Sequence, residues 1–393
     1  MASFLGFNFG GKKETVQTPP APSNDGYFNF TSPFLNVGKG NLSLPYISPA
    51  YTGVGGYVRY GQDNLFPNLL RQLYHTSPLH SSIVNYINNA TIGGGYEIIN
   101  GKTDGKGKVE QYKFEKTLEL SKLVKKITKD ALVFGAINML IKNDKNGVAV
   151  SAKRIPMDEL RWDEEATKYT YCKDFSRNIG LKYYDKYQIG KPNAEGILTF
   201  RFDDGDSTYP MPSYASANNW IFLDGEASFL HKSNILNSIF PSTVFKFPKK
   251  PASDEELQAY KQTLESAKGA QQAGRAIAFF ENGAELLPTI ETIATSDNDG
   301  LFLQTDERTD SKICQAWAID PILMGIRVSG KLGSGSDIKQ SYIIFEKNVI
   351  MPLRGEIEDV VNQIMTIFMI PGEFKINNYQ IIGEVIVDVT ENK

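Results

Sequence analysis

Apolar residues return at steps of three and four in four separate stretches of this chain, and a block of short β-like runs lies among them. Leu65, Leu69, Leu73, Leu79, Ile83, Tyr86, Ile87 and Ala90 mark the first stretch, and Leu120, Leu123, Val124, Ile127, Ala131 and Phe134 the second, with lysines on its other face. The third runs from Tyr214 through Trp220, Ile221, Leu223, Phe229 and Ile235 to Phe240. The fourth runs from Ile343 through Ile350, Leu353, Ile357, Val360 and Val361 to Phe368. That spacing gathers apolar side chains on one helical face, which must be buried against another element. Between 147 and 204 the runs Tyr169–Lys173, Gly180–Tyr184 and Gly196–Phe202 sit between Asn, Asp, Gly and Pro turns, as strands do. The pattern predicts an α+β fold.

Local punctuation sharpens the elements. Ser77-Pro78 fits the start of a second helix within 64–91, Gly93-Gly94-Gly95 ends it, and Tyr96-Glu97-Ile98-Ile99 begins a strand. Residues 101–108 read as a turn, 113–135 as one long helix and Ile137–Lys142 as a strand. The helix expected over 214–240 is weakened by Gly225 and stopped by Pro241. A short β-like piece follows, Thr243-Val244-Phe245-Lys246-Phe247. Ser253-Asp254-Glu255-Glu256 is then a capping box opening a helix over 253–268, closed by Lys268-Gly269. Next come a strand at Arg275–Phe280, a turn at Asn282-Gly283, an apolar piece ending at Ile293 and a polar helix over 298–318. Gly330–Ser336 reads as a flexible loop, 337–368 as a helical region kinked or split by Pro352, and Glu373–Val389 as one or two strands. Residues 1–56 are rich in Gly, Pro, Ser and Asn and read as an extended arm. Phe28, Phe30, Phe34, Tyr46 and Tyr51 suggest that it lies on a neighbouring copy.

Composition removes several classes of function. The 42 basic and 45 acidic residues give a net charge of −3, without the basic excess of a protein that grips a duplex. Two distant cysteines, Cys172 and Cys314, form neither a disulfide framework nor a Cys-based zinc site, and suit a reducing interior. Met1–Lys13 lacks the apolar core of a signal peptide, and no apolar run is long enough to span a bilayer, so no membrane partner is expected.

The motifs that carry chemistry are weak. Gly325 to Lys331 has phosphate-loop spacing, but Leu332 stands where a hydroxyl is needed, and Trp317–Met324 reads as a helix end and Pro turn rather than a strand. Asp203-Asp204-Gly205-Asp206-Ser207 lacks the spacing and late Glu of a calcium loop. His75 and His80 are five apart, on different helical faces, and His231 is isolated. No catalytic set, metal site or cofactor is expected.

Four stretches in order resemble the portal family of tailed bacteriophages. The first is Tyr60-Gly61 to Asn64, Pro67, Leu70, Leu73-Tyr74, Ser77-Pro78, His80 and the run to Ile92-Gly93-Gly94-Gly95. The second is the helix–strand–capped helix order over 214–268, and the third Arg275–Ile293 with Asn282-Gly283. The fourth is Ala318-Ile319-Asp320-Pro321, Leu323-Met324-Gly325, Phe345, Pro352-Leu353, Ile357-Glu358 and Asn362, with Asp320-Pro321 where the family has a double Pro. The resemblance implies a wing over 57–213, a stem helix over 214–241, a short clip over 242–252 and a returning stem helix over 253–269. It implies a tunnel-loop region over 270–297 and a wing-crossing helix, helical region and terminal strands over 298–393. It makes Thr243, Val244, Phe245, Lys246 and Phe247 clip candidates, and Phe280, Glu281, Asn282, Gly283, Ala284 and Glu285 channel candidates. The implied function is non-enzymatic: a ring of about twelve copies at one capsid vertex, assembled in the host cytoplasm and carried in the virion. Its implied partners are the major capsid protein, the terminase motor, a head–tail adaptor and double-stranded DNA that passes without sequence specificity. The competitors are another minor head or neck protein, and a metal-dependent nuclease, for which clustered carboxylates would be needed.

Overall fold

A computed structural model describes residues 56–61, 63–101, 105–205, 207–237, 243–247, 276–280, 289–291, 298–326 and 335–378, with Ser253, Glu255 and Gln258. The arm up to residue 55, most of the helix expected over 253–268, the Asn282-Gly283 turn and residues 330–334 of the glycine loop lie outside these.

The first periodic stretch forms α1 (Phe66–Thr76) and α2 (Pro78–Ile92). Ser77 separates them: its Oγ accepts from the His80 N–H at 3.1 Å, and Pro78 at the first helical position has no N–H to satisfy. β1 (Tyr96–Ile99) follows the glycines as expected. The next segment differs from expectation. Residues 105–108 are helical rather than a turn, and the single helix expected over 113–135 is two helices, α3 (Gly105–Leu118) and α4 (Leu120–Phe134). Glu119 breaks them in a left-handed conformation, φ 47°. The break lets both halves reach one core: Phe114 packs edge-on against Phe368 at 5.4 Å, while Leu120, Val124 and Ile127 bury on the same cluster. Gly135 (φ 71°) ends α4, and a Cβ there would sit 3.1 Å from the Met211 backbone, so glycine serves both the turn and the close approach.

The β block forms a six-stranded sheet from β2 (Ala136–Asn143), β3 (Ala149–Arg154), β4 (Leu160–Trp162), β5 (Lys168–Tyr171), β6 (Lys182–Lys186) and β7 (Glu195–Arg201). Its order is β3-β2-β7-β6-β5-β4, antiparallel except for a short parallel pairing of β6 with β7. After a 3-10 turn comes α5 (Asn218–Asn237). β8 (Thr243–Phe247), β9 (Ala276–Phe280), β10 (Thr289–Glu291) and α6 (Asn298–Ala316) follow. α7 (Gly335–Phe345) and α8 (Met351–Ile367) flank a π-helical turn, Glu346–Ile350. Pro352 is the second residue of α8, so the discontinuity expected of it lies just upstream, where the wider turn accommodates its missing N–H. β11 (Glu373–Ile376) pairs antiparallel with β1, from Tyr96↔Ile376 to Ile99↔Glu373.

Two apolar clusters hold these elements. One joins Leu70, Leu73, Ile83 and Ile87 to Trp162, Tyr209, Tyr214 and Trp317. The other joins α4 and β2 to Ile357, Val361 and Ile364 of α8 and Phe374 of β11. Each fully buried aliphatic side chain contributes about 1.5–3 kcal/mol. No described helix is long and apolar enough to cross a membrane.

Candidate functional site

The clip candidates form a strand for a local reason: Thr243, Val244, Phe245 and Phe247 are β-branched or aromatic, as are Ile277, Phe279 and Phe280 of β9. β8 is the centre of a three-stranded sheet ordered β10-β8-β9. It pairs parallel with β9 from Thr243↔Ala276 to Phe247↔Phe280, and antiparallel with β10 from Lys246↔Thr289 to Val244↔Glu291. Parallel neighbours need a crossover connection, which the chain between Phe247 and Ala276 supplies. Candidates expected in separate clip and tunnel regions, Thr243–Phe247 and Phe280, thus belong to one sheet. Glu281, Asn282, Gly283, Ala284 and Glu285 lie outside the described residues.

The helices flanking this sheet in sequence, α5 and α6, pack together through fully buried Ile221 and Ile313, with the Arg308 guanidinium 5.7 Å from the centre of the Trp220 ring. Asp224 ties α5 to the start of α2. Its Oδ2 accepts from Ser77 Oγ at 2.5 Å and from the Leu79 N–H at 3.4 Å. Burial raises the Asp224 carboxyl above its ordinary value, against those hydrogen bonds. Asp310 of α6 is pushed up to about 6, first by burial and then by the charges of Asp224 and Asp306. Cys314, one turn on, is pushed up to about 12 by burial, with Asp310 and Asp320 adding to it. No motif in the sequence names these carboxylates. The available signal is Asp224 directly after the apolar run Trp220–Leu223.

The remaining sequence candidates have structural partners. His80 is fully buried; its Nδ1 accepts from Trp317 Nε1–H at 3.1 Å and its ring lies 4.4 Å from that of Tyr214. Burial pushes it down to about 3, so the imidazole is neutral. His75 sits on α1, apart from that aromatic group, and shares no ligand set with it. Asp203 of the acidic loop places both carboxylate oxygens 2.8 Å from Arg201, which leaves little for a cation. Gly325 caps a 3-10 turn at Pro321–Met324, the Pro turn expected before the glycine loop. Among the described residues no group of His, Cys, Asp and Glu is arranged to hold a metal.

Comparison with known proteins places this architecture. A chain in the neck of an empty gene transfer agent particle, computed with C6 symmetry, is similar with a TM-score of 0.60 at 17% identity, over 83% of this chain and 87% of that one. A chain in the virion of the native gene transfer agent particle gives 0.56 at 17% identity, over 84% and 88%. One in the native particle's neck, computed with C12 symmetry, gives 0.54 at 17% identity, over 80% and 84%. No curated protein sequence matches. The family model for "Phage portal protein" matches residues 114–380, from within α3 through the six-stranded and three-stranded sheets and α5–α8 to beyond β11. That is well over half of the sequence, and the chain belongs to the phage portal protein family.

Proposed function

We propose that copies of this chain close into the ring at the unique vertex of a phage capsid, through which double-stranded DNA is packaged and ejected. The observation that carries this reading is the family match across residues 114–380. The similarity in fold to chains of necks computed with C6 and C12 symmetry supports a rotational assembly of about twelve copies. In this reading α1–α4 and the six-stranded sheet are the wing. α5 is one stem helix, and its packing on α6 supports α6 as the other, in place of the helix over 253–269. The β10-β8-β9 sheet between them is then one clip module, and Phe280–Glu285 face the DNA path from it. The chain performs no chemistry: the packaging motor, the major capsid protein and a head–tail adaptor dock on the ring. A net charge of −3 suits a channel in which DNA slides, because many phosphate contacts would pin the duplex.

Cryo-electron microscopy of the purified protein tests this. The expected particles are rings close to twelve-fold, with a channel wide enough for B-form DNA. Monomers or dimers at every concentration, with no rings in lysate, would overturn the reading.

A further inference from the structure

α4 carries Lys122, Lys125, Lys126 and Lys129 at i, i+3, i+4 and i+7, which is one continuous stripe along its outer face. The first three are exposed and Lys129 is half-buried, while Leu123, Val124 and Ile127 of the same helix are buried. Between residues 105 and 129 there are eight lysines against three glutamates, in a chain whose whole net charge is −3. Lys122 and Lys126, like Lys125 and Lys129, are like charges four apart, a spacing that destabilises a helix. Among the described residues the only carboxylate paired with the stripe is Glu119, 3.0 Å from Lys122, and both are largely solvent-exposed. The same positive field reaches α1. His75 is held below its ordinary value by partial burial and then by Lys129 and Arg71.

We propose that this lysine stripe is a binding surface for the phosphate backbone of duplex DNA, separate from the channel. The stripe consists of lysine alone. Protein–protein interfaces are depleted in lysine and favour arginine, whereas a backbone of phosphates accepts point charges without fixed geometry. From Lys122 to Lys129 the helix advances about 10 Å, the axial rise of about three base pairs. Anions there would relieve repulsion that the fold leaves uncompensated. Lys129 is pinned at the end of the row, its Nζ donating to Tyr74 Oη at 2.8 Å and lying 4.0 Å from the ring centre. Repeated around a ring, the stripe presents a circle of cations to DNA lying against the particle's portal. The choice of DNA as occupant rests on the portal reading; the charge surface itself does not.

A relaxed closed-circular duplex tests this, because it cannot thread a preformed ring and so reports only surfaces outside the channel. Full-length rings, verified by microscopy in the same preparation, are expected to retain the circle at low salt. The variant K122Q/K125Q/K126Q leaves Lys129 and the buried face untouched. It is expected to form rings with an unchanged or higher melting temperature. Its slope of log affinity against log salt should be shallower by about 2 to 3, with affinity at least about tenfold lower at low salt. Rings that do not retain the circle, or a variant that binds as the parent does, would overturn the proposal. So would displacement of the circle by polyglutamate at equal charge, which would make the stripe a site for an acidic protein surface. Absence of rings would instead count against the portal reading.

Discussion

Around Arg161 each guanidinium nitrogen finds an acceptor, whereas between α2, α5 and α6 buried polar atoms are left over and carboxylates crowd. Arg161 is fully buried on β4. Its Nε donates to Asn64 Oδ1 at 2.7 Å and its Nη2 to Asn64 O at 2.6 Å. Its Nη1 donates to Leu160 O at 2.7 Å and Met157 O at 3.0 Å. Its guanidinium carbon lies 4.2 Å from the Phe175 ring centre. Four oxygens replace the water it has lost, and Tyr60 and Tyr209, stacked at 4.3 Å, lock the surrounding backbone through bonds to Pro210 O and Val58 O. In the second centre His80 Nε2, both amide atoms of Asn218 and Thr309 Oγ1 are buried without a hydrogen-bond partner among the described residues. Asp224 and Asp310 repel each other beside them. The first centre is over-determined and fixes one conformation. The second stores unfavourable interactions where α5 and α6 meet the rest of the fold, so rearranging those two helices costs less than rearranging the sheet. In the ring proposed above, that division would keep the wing seated while the stem accommodates a moving duplex.

The comparison breaks most readily at Arg161. Arg161→Met keeps the apolar stem and removes one donor from each of four oxygens, of which Asn64 Oδ1 still accepts from the Tyr60 N–H and Met157 O from the Leu160 N–H. It is expected to destabilise the chain by at least about 3 kcal/mol in urea unfolding. A loss under about 1 kcal/mol would mean that the network is not rigid. The second centre should respond with the opposite sign. Asn218→Leu, close in shape, removes two buried unpartnered amide atoms and should be neutral or stabilising by up to about 1 kcal/mol. A clear destabilisation would show that Asn218 is satisfied, and the contrast between the centres would shrink.

Much of this scaffold was legible in the sequence because periodicity reports which face is buried. The α1–α2 boundary at Ser77-Pro78, β1, β2, the strands β5, β6 and β7 of the β block, α5 and α6 all follow from local residue chemistry. The break at Glu119 was not, because a left-handed turn at a glutamate carries no local signal and is imposed by packing of Phe114 and Leu120 on one cluster. Nor was the parallel pairing of β8 with β9, a contact between segments far apart in sequence that no turn residue specifies. The lysines of α4 were visible as a polar face, but that Glu119 is the one carboxylate paired with them among the described residues needed the structure. Arg161 and Asp310 were invisible for a common reason: a charged residue in sequence reads as exposed until its neighbours are known.

The smallest expected effect tests the soft centre directly, at Asp310. Its carboxyl sits up at about 6 in the folded chain against an ordinary 3.8, through burial and then through Asp224 and Asp306. Between those values the folded state binds more protons than the unfolded one, so this group's contribution is complete below 3.8 and is lost as pH rises through about 6. Asp310→Asn removes the titration. Parent and variant should therefore melt together near the acid end of that window, and the variant should be the more stable at about pH 8. Asp310 is only half-buried, so solvent screening holds the gain to about 0.5 kcal/mol or less. Thermal midpoints measured across the window decide it. Parallel curves for parent and variant would mean that α5 and α6 meet without stored repulsion, and that the softness assigned to this contact has another origin. A gap that opens with rising pH would locate the strain at the place where the two helices carrying the small sheet join the body.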